Sequence, residues 1–151
     1  MTMTATTTLT VPTASAPTTS LAIRESAPTK QLWKTGVVAG LTASVATVAV
    51  AAAAKAIDIP IEVGGKAIPL LGFAQLTFVG ALIGTILAVV LSYRASRPRR
   101  TFLVTTVALT LLSVVPDVLA DAHTATRFTL ALTHVVAAAI VIPALSSRLS
   151  D

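Results

Sequence analysis

The sequence predicts an all-α polytopic membrane protein, a bundle of four transmembrane helices. Two observations carry that reading. Of 151 residues, 54% are hydrophobic and 11% charged. A soluble domain averages about 25% charged, so this chain cannot clothe a water-facing surface. The apolar residues also come in long blocks free of Asp, Glu, Lys and Arg: residues 35–54, 67–93, 101–116 and 128–147. A helix that crosses the bilayer core needs about 20 apolar residues. Four blocks therefore give four spans, approximately 33–56, 68–93, 100–120 and 126–147. The third reaches Ala120 only with Asp117 near its end. Together they make a membrane domain over residues 31–149.

Residues 1–30 are dominated by Thr, Ala, Ser and Pro. Such a segment gains too little from burial to offset its conformational entropy, so a disordered tail is expected there. It lacks a charged stretch followed at once by an apolar one, so no cleaved signal peptide is expected.

Orientation follows from Lys and Arg close to the spans. Arg24, Lys30 and Lys34 precede the first span, Arg94, Arg97, Arg99 and Arg100 lie between the second and third, and Arg148 follows the fourth. The other side holds only Lys55, Lys66 and Arg127. Both termini and the RASRPRR loop are therefore expected in the cytoplasm, with the plasma membrane as the location. Trp33, Tyr93 and Phe102 fall at the same boundary, where aromatic rings are favoured. The net charge of +5 lies beside the spans, so it marks the membrane and not nucleic acid. The arginine cluster can also attract anionic lipid head groups.

Between the first two spans, Ile57, Ile59, Ile61 and Val63 alternate with other residues ahead of Gly64-Gly65. Period-two alternation ending in Gly-Gly suggests a short extracytoplasmic β-hairpin, with an irregular loop as the alternative.

Lipid tails are as apolar as leucine, so helices associate through close packing and polar contacts. The first helix offers Gly36-x-x-x-Gly40, then Ser44. The second offers Gly72, Gly80 and Gly84 at multiples of four. A contact between these two helices within one chain is expected; a homo-oligomer or another membrane protein seated on the same seam is the alternative. On the third helix, Thr106, Thr110, Ser113 and Asp117 form one stripe. Hydroxyls bonded back to the previous turn account for it; a water-lined path ending at Asp117 is the other reading. Pro116 and Pro143 are expected to kink or end their helices.

One stretch carries the chemistry: VVPDVLADAHTATRFTLALTH, residues 114–134. Asp121, His123 and Arg127 read as the turn of a helical hairpin. His134 stands seven residues past Arg127, inside a span. An intramembrane histidine usually faces the bundle interior. An antiparallel hairpin brings it to the depth of Asp117, with Ser113 and Thr110 nearby. Four arrangements compete. His134 is a neutral packed residue, with Asp117 and Asp121 capping the turn or pairing with Arg127. Asp117 and His134 form a proton-responsive pair. His134, His123 and a carboxylate hold a metal. Or an Asp/His dyad activates Ser113 as a nucleophile. The spacing matches no standard ligand motif, and no GxSxG or HExxH is present. The chain has no cysteine, which removes thiolate sites. No metal, no cofactor and no enzymatic activity are expected.

LWKTGVVAGLTASVA, GFAQLTFVGALIGTILA, RRTFLVTTVALTLLSVVPD and ATRFTLALTHVVAAAIVIPAL together resemble a family of small bacterial four-helix integral membrane proteins of unknown function. The resemblance covers roughly Gln31 to Leu149, and SVVPD and TRFTLALTH are its most specific pieces. It implies a four-span bundle and no activity. Two functions are thus in view: a non-enzymatic membrane component acting through helix packing or partner binding, or a small proton- or ion-responsive transporter or sensor using Asp117 and His134.

Overall fold

The computed structural model describes residues 19–151, with side chains from Thr29 onward. Four helices and one two-stranded hairpin follow in order: α1 (Thr19–Ala56), β1 (Glu62–Val63), β2 (Lys66–Ala67), α2 (Leu70–Arg94), α3 (Pro98–Leu119) and α4 (Thr124–Ser146). All four helices are long and apolar enough to cross a membrane, α1 doing so over Thr29–Ala56. Their surfaces carry many exposed leucines, isoleucines and valines, Leu76, Val45 and Leu119 among them, which suits lipid and not water. Residues 1–18 of the expected tail lie outside the described residues. From Thr19 onward the chain is helical, as the beginning of α1.

Alternate helices run in opposite directions. One end of the bundle holds the short α2–α3 loop and the C-terminus, and is called here the basic end. The other holds the β-hairpin and the α3–α4 loop. At α1's far end the Ile59 amide bonds the Ala54 carbonyl at 3.1 Å and the Asp58 amide bonds that of Lys55 at 3.2 Å. This is a Schellman closure, with Asp58 in the left-handed position at φ 58°. The hairpin pairs Glu62 with Ala67 and Val63 with Lys66. Gly64 and Gly65 turn it with φ of 58° and 73°; two positive φ values in a row are what a two-residue turn of this kind demands, and glycine adopts them freely.

The hairpin is anchored to the second half of the chain. The Gly64 amide donates to the Asp121 carbonyl at 2.9 Å, and the Thr126 hydroxyl donates to the Pro60 carbonyl at 2.5 Å. At the basic end the Asp151 carboxylate accepts from the Arg100 amide at 3.1 Å. Pro98 opens α3 at its first turn, where its missing amide costs nothing. Asp151 thus satisfies one of that helix's free amides and favours its positive end.

α1 packs on α2 and α4, α4 also on α3, while α2 and α3 meet more lightly. The α1–α2 seam is built from small residues. At Gly36 a Cβ would overlap the Thr85 side chain, and at Gly40 it would stand 3.0 Å from the Ala81 Cβ. Farther along, the Ser44 hydroxyl donates across to the Ala74 carbonyl at 3.0 Å and the Thr47 and Thr77 hydroxyls meet at 3.0 Å. The glycines of α2 are placed otherwise than expected. Gly72 sits against its own Pro69, Gly84 faces Leu145 and Val141 of α4 at 4.0 Å, and nothing approaches Gly80. On α2 the residues that face the α1 glycines are Ala81 and Thr85, not its own glycines.

The core has two parts. One, toward the basic end, gathers Leu32, Ala39, Ala43, Ala81, Phe102 and Leu145. The other, under the hairpin, gathers Ala51, Ala54, Ile61 and Phe73. Phe102 is completely buried, while Trp33 and Tyr93 are exposed. Phe102 is therefore core and not a boundary ring; it has no polar atom to hold at the interface. Pro116 and Pro143 both lie inside helices that run on for three more residues, to Leu119 and Ser146.

A matched pair of substitutions separates the two glycine environments. Gly36→Ala is expected to destabilise by about 1–3 kcal/mol through overpacking. Gly80→Ala is expected to leave stability unchanged or raise it by up to about 1 kcal/mol, since alanine is the better helix former. Thermal unfolding of the two variants in the same detergent checks both.

Candidate functional site

α3 and α4 form the expected antiparallel hairpin, joined by residues 120–123. Asp117 stands two residues before the end of α3 and His134 ten residues into α4. At 1.5 Å per residue the imidazole backbone is about 15 Å along its helix, and the side chain reaches back toward the N-terminus of the helix, as helical side chains do. The two meet: His134 Nδ1 is 2.9 Å from Asp117 Oδ2. This is the one ion-pair contact among the described residues.

Nδ1 also lies 3.2 Å from the Leu130 carbonyl, one turn back. Both neighbours are acceptors, so the geometry suits the tautomer with its proton on Nδ1 and leaves Nε2 unprotonated. One N–H cannot point at two acceptors. It is aligned on the Leu130 carbonyl, and Asp117 Oδ2 is a buried oxygen with no in-line donor. The short distance and the missing in-line bond describe one contact, in which the ring lies close to the carboxylate but is turned off it. The carboxylate is thereby left with capacity to accept a further hydrogen bond.

The pair lines a cavity of about 700 Å³ between α2, α3 and α4. Val63 and Ile68 bound it under the hairpin, and Phe102 and Leu87 bound it toward the basic end. Leu76, Ile83 and Leu109 also line it and are themselves exposed, so it opens sideways, between α2 and α3, where those helices meet lightly. Gly80 and Gly84 form part of its wall. The second glycine pair thus clears space instead of gripping a neighbour.

The polar stripe of α3 faces this cavity: Thr106, Thr110, Ser113 and Asp117 all line it. Of the two expectations for the stripe, back-bonding to the previous turn is the one formed. Each hydroxyl is bonded back to its own helix, Thr106 to the Phe102 carbonyl at 2.7 Å, Thr110 to that of Thr106 at 2.8 Å and Ser113 to that of Thr110 at 2.7 Å. Their donors are spent. Only Asp117 and His134 remain for chemistry on an occupant, because among the described residues they are the only ionisable side chains on the wall.

Asp121 and His123 stay outside the site. Asp121 is exposed in the loop, where its backbone carbonyl holds the hairpin. His123 occupies the N-cap of α4 without a side-chain capping bond. Arg127 pairs with neither aspartate, and its Nε is buried without a partner. Among the described residues no three His, Cys, Asp or Glu side chains converge, so the arrangement of His134, His123 and a carboxylate around a metal is not formed. Ser113 is one turn from Asp117, with its hydroxyl donated to Thr110 and not held by the histidine. Sequence reading missed the threonines of α4. Thr126, Thr129 and Thr133 are all buried, and their spacing of three and four was a readable sign that this face turns inward.

Four apolar helices, closed at one end by a hairpin and holding one ionisable pair beside a lateral cavity, define a multi-pass α-helical membrane protein. The chain belongs to the family of unknown function DUF6069, whose model matches residues 27–151. No curated protein matches it. No solved structure matches it either.

Contact between Asp117 and His134 makes their substitutions interdependent. In a double-mutant cycle of Asp117→Asn and His134→Asn, unfolding in detergent is expected to show a coupling of about 0.5–3 kcal/mol. Additivity within about 0.3 kcal/mol, the behaviour of separated sites, means that the side chains do not touch.

Proposed function

We propose that the protein is a proton-responsive membrane protein and not an enzyme, with the Asp117–His134 pair as its responsive element. The observation that carries this reading is the 2.9 Å approach of His134 Nδ1 to Asp117 Oδ2 on the wall of an open cavity. Histidine changes charge nearest to physiological pH, and a change of charge at this position is felt strongly because the surroundings are apolar. The His134 side chain is 42% exposed and that of Asp117 14%, so the imidazole is not sealed inside the bundle. A sealed histidine with one hydrogen-bond partner is the expected sign of action through helix packing alone, and the open cavity supports the responsive reading instead.

The proposal places the protein in the plasma membrane with both termini and the basic end in the cytoplasm. Eight of the 11 Lys and Arg residues belong to that side of the chain, and the positive-inside tendency supports the orientation. Arg94, Arg97, Arg99 and Arg100 are exposed there and suit anionic lipid head groups, at about 1 kcal/mol for each basic residue near the surface.

Two measurements test these readings. In protein carrying ¹⁵N-labelled histidine, one imidazole resonance is expected to titrate in the parent and to vanish in His134→Asn, and pH-driven proton flux into liposomes is expected to follow it. Absence of a titrating His134, or a pH response that survives His134→Asn unchanged, overturns the responsive reading. For orientation, the natural absence of cysteine allows single replacements. An impermeant thiol reagent added outside cells is expected to label Lys66→Cys and spare Arg97→Cys; the reverse pattern inverts the topology.

A further inference from the structure

The cavity is larger than a proton site requires. At about 700 Å³ it falls within the size range of pockets that hold a whole organic molecule, roughly 300–1,000 Å³. Its wall is mostly aliphatic and aromatic, with Phe73, Phe102, Leu76 and Ile83 contributing rings and branched chains. It opens sideways, toward the lipid, so an entering molecule arrives from the bilayer and must be lipophilic. The charge of such a molecule is decided by the wall. No Lys or Arg lines the cavity. α1 carries no charged residue between Lys34 and Lys55, α2 none between its start and Arg94, and α3 none between Arg100 and Asp117. Arg127 on α4 and Arg148 just past its end are both absent from the cavity wall. Glu62 and Lys66 of the hairpin also lie off the wall.

We propose that this cavity binds a lipophilic organic cation, and that the cation and a proton compete for the Asp117–His134 pair. The proposal rests on the reading of that pair as proton-responsive. The bookkeeping is simple. With Nδ1–H neutral imidazole and ionised Asp117, the pair carries one negative charge. One added proton, on either partner, brings it to zero. A monovalent organic cation does the same. In an apolar setting an uncompensated charge is expensive, so the neutral states dominate: proton bound, or cation bound, but not both and not neither. The released proton leaves from His134 Nε2 or the Asp117 carboxyl, because Nδ1–H remains on the Leu130 carbonyl. No bond within the cation forms or breaks. The Asp117 carboxylate, on the cavity wall, supplies the negative charge that offsets the ligand's.

The test uses tetraphenylphosphonium and its isosteric anion tetraphenylborate with the full chain in neutral detergent, against empty micelles. The cation is expected to bind, to release about one proton per molecule bound in weakly buffered solution, and to lose affinity about tenfold per pH unit where the pair is protonated, as linkage of one proton demands. Asp117→Asn is expected to weaken cation binding at least tenfold and abolish proton release, while Asp121→Asn, a change in the exposed loop, leaves both as in the parent. Where Asp117→Asn proves unstable, the parent's proton count and the phosphonium-to-borate comparison decide alone. Equal binding of the two ions, or cation binding without proton release, overturns the proposal. A His134 that titrates normally while no cation binds sinks this inference and leaves the responsive reading standing; a His134 that does not titrate sinks both.

Discussion

A bilayer gives two apolar helices no hydrophobic reason to meet, and the rest of this structure depends on how the chain solves that. Its answer is the close approach of α1 to α2 at Gly36 and Gly40, where there is no room for a single further carbon atom. Dispersion forces fall off steeply with distance, so only such proximity makes them count. Beyond the glycines the same seam continues as hydroxyl contacts, Ser44 to Ala74 and Thr47 to Thr77. α1 becomes the spine against which α2 and α4 both lie. No such seam joins α2 to α3, which meet more lightly. The cavity is the space that remains between them.

That division of labour explains which parts of the site can act. Hydroxyls in a lipid environment satisfy themselves locally, and those of α3 do so without exception along the cavity wall. An acid and an imidazole cannot be satisfied so cheaply. Placed together they compensate one another, and the arrangement tolerates burial only because each has the other within 3 Å. The combination of a spent hydroxyl stripe and one unspent pair focuses all response to charge onto a single spot.

Much of this was legible in the sequence. Long uncharged blocks announce spans because bilayer thickness dictates their length. Gly64-Gly65 announces its turn because few other residues adopt two positive φ values in succession. A short loop and simple helix arithmetic put Asp117 and His134 within reach of each other, and left open whether they touch. What stayed illegible depends on the rotation of one helix against another. Gly80 and Gly36 sit in the same kind of motif, yet one faces empty space and the other a threonine. Phe102 lies where a boundary ring is expected and is instead turned into the core. Asp151, far from α3 in sequence, tends that helix's first turn. Such choices are set by packing among all four helices, and periodicity within any one of them does not determine them.

The two bonds that hold the hairpin have a consequence for assembly. Thr126 and Pro60 are 66 residues apart in the chain, and their hydrogen bond, like that from Gly64 to Asp121, links the first half of the protein to the second. A chain emerging from the ribosome can seat α1 on α2 as soon as both exist. It cannot close the hairpin end until α4 has been threaded through the bilayer. Until then a carbonyl and an amide of the hairpin region wait without their partners. Closure at that end is therefore a signal of completion. A chain whose last helix is misthreaded leaves that end of the bundle open.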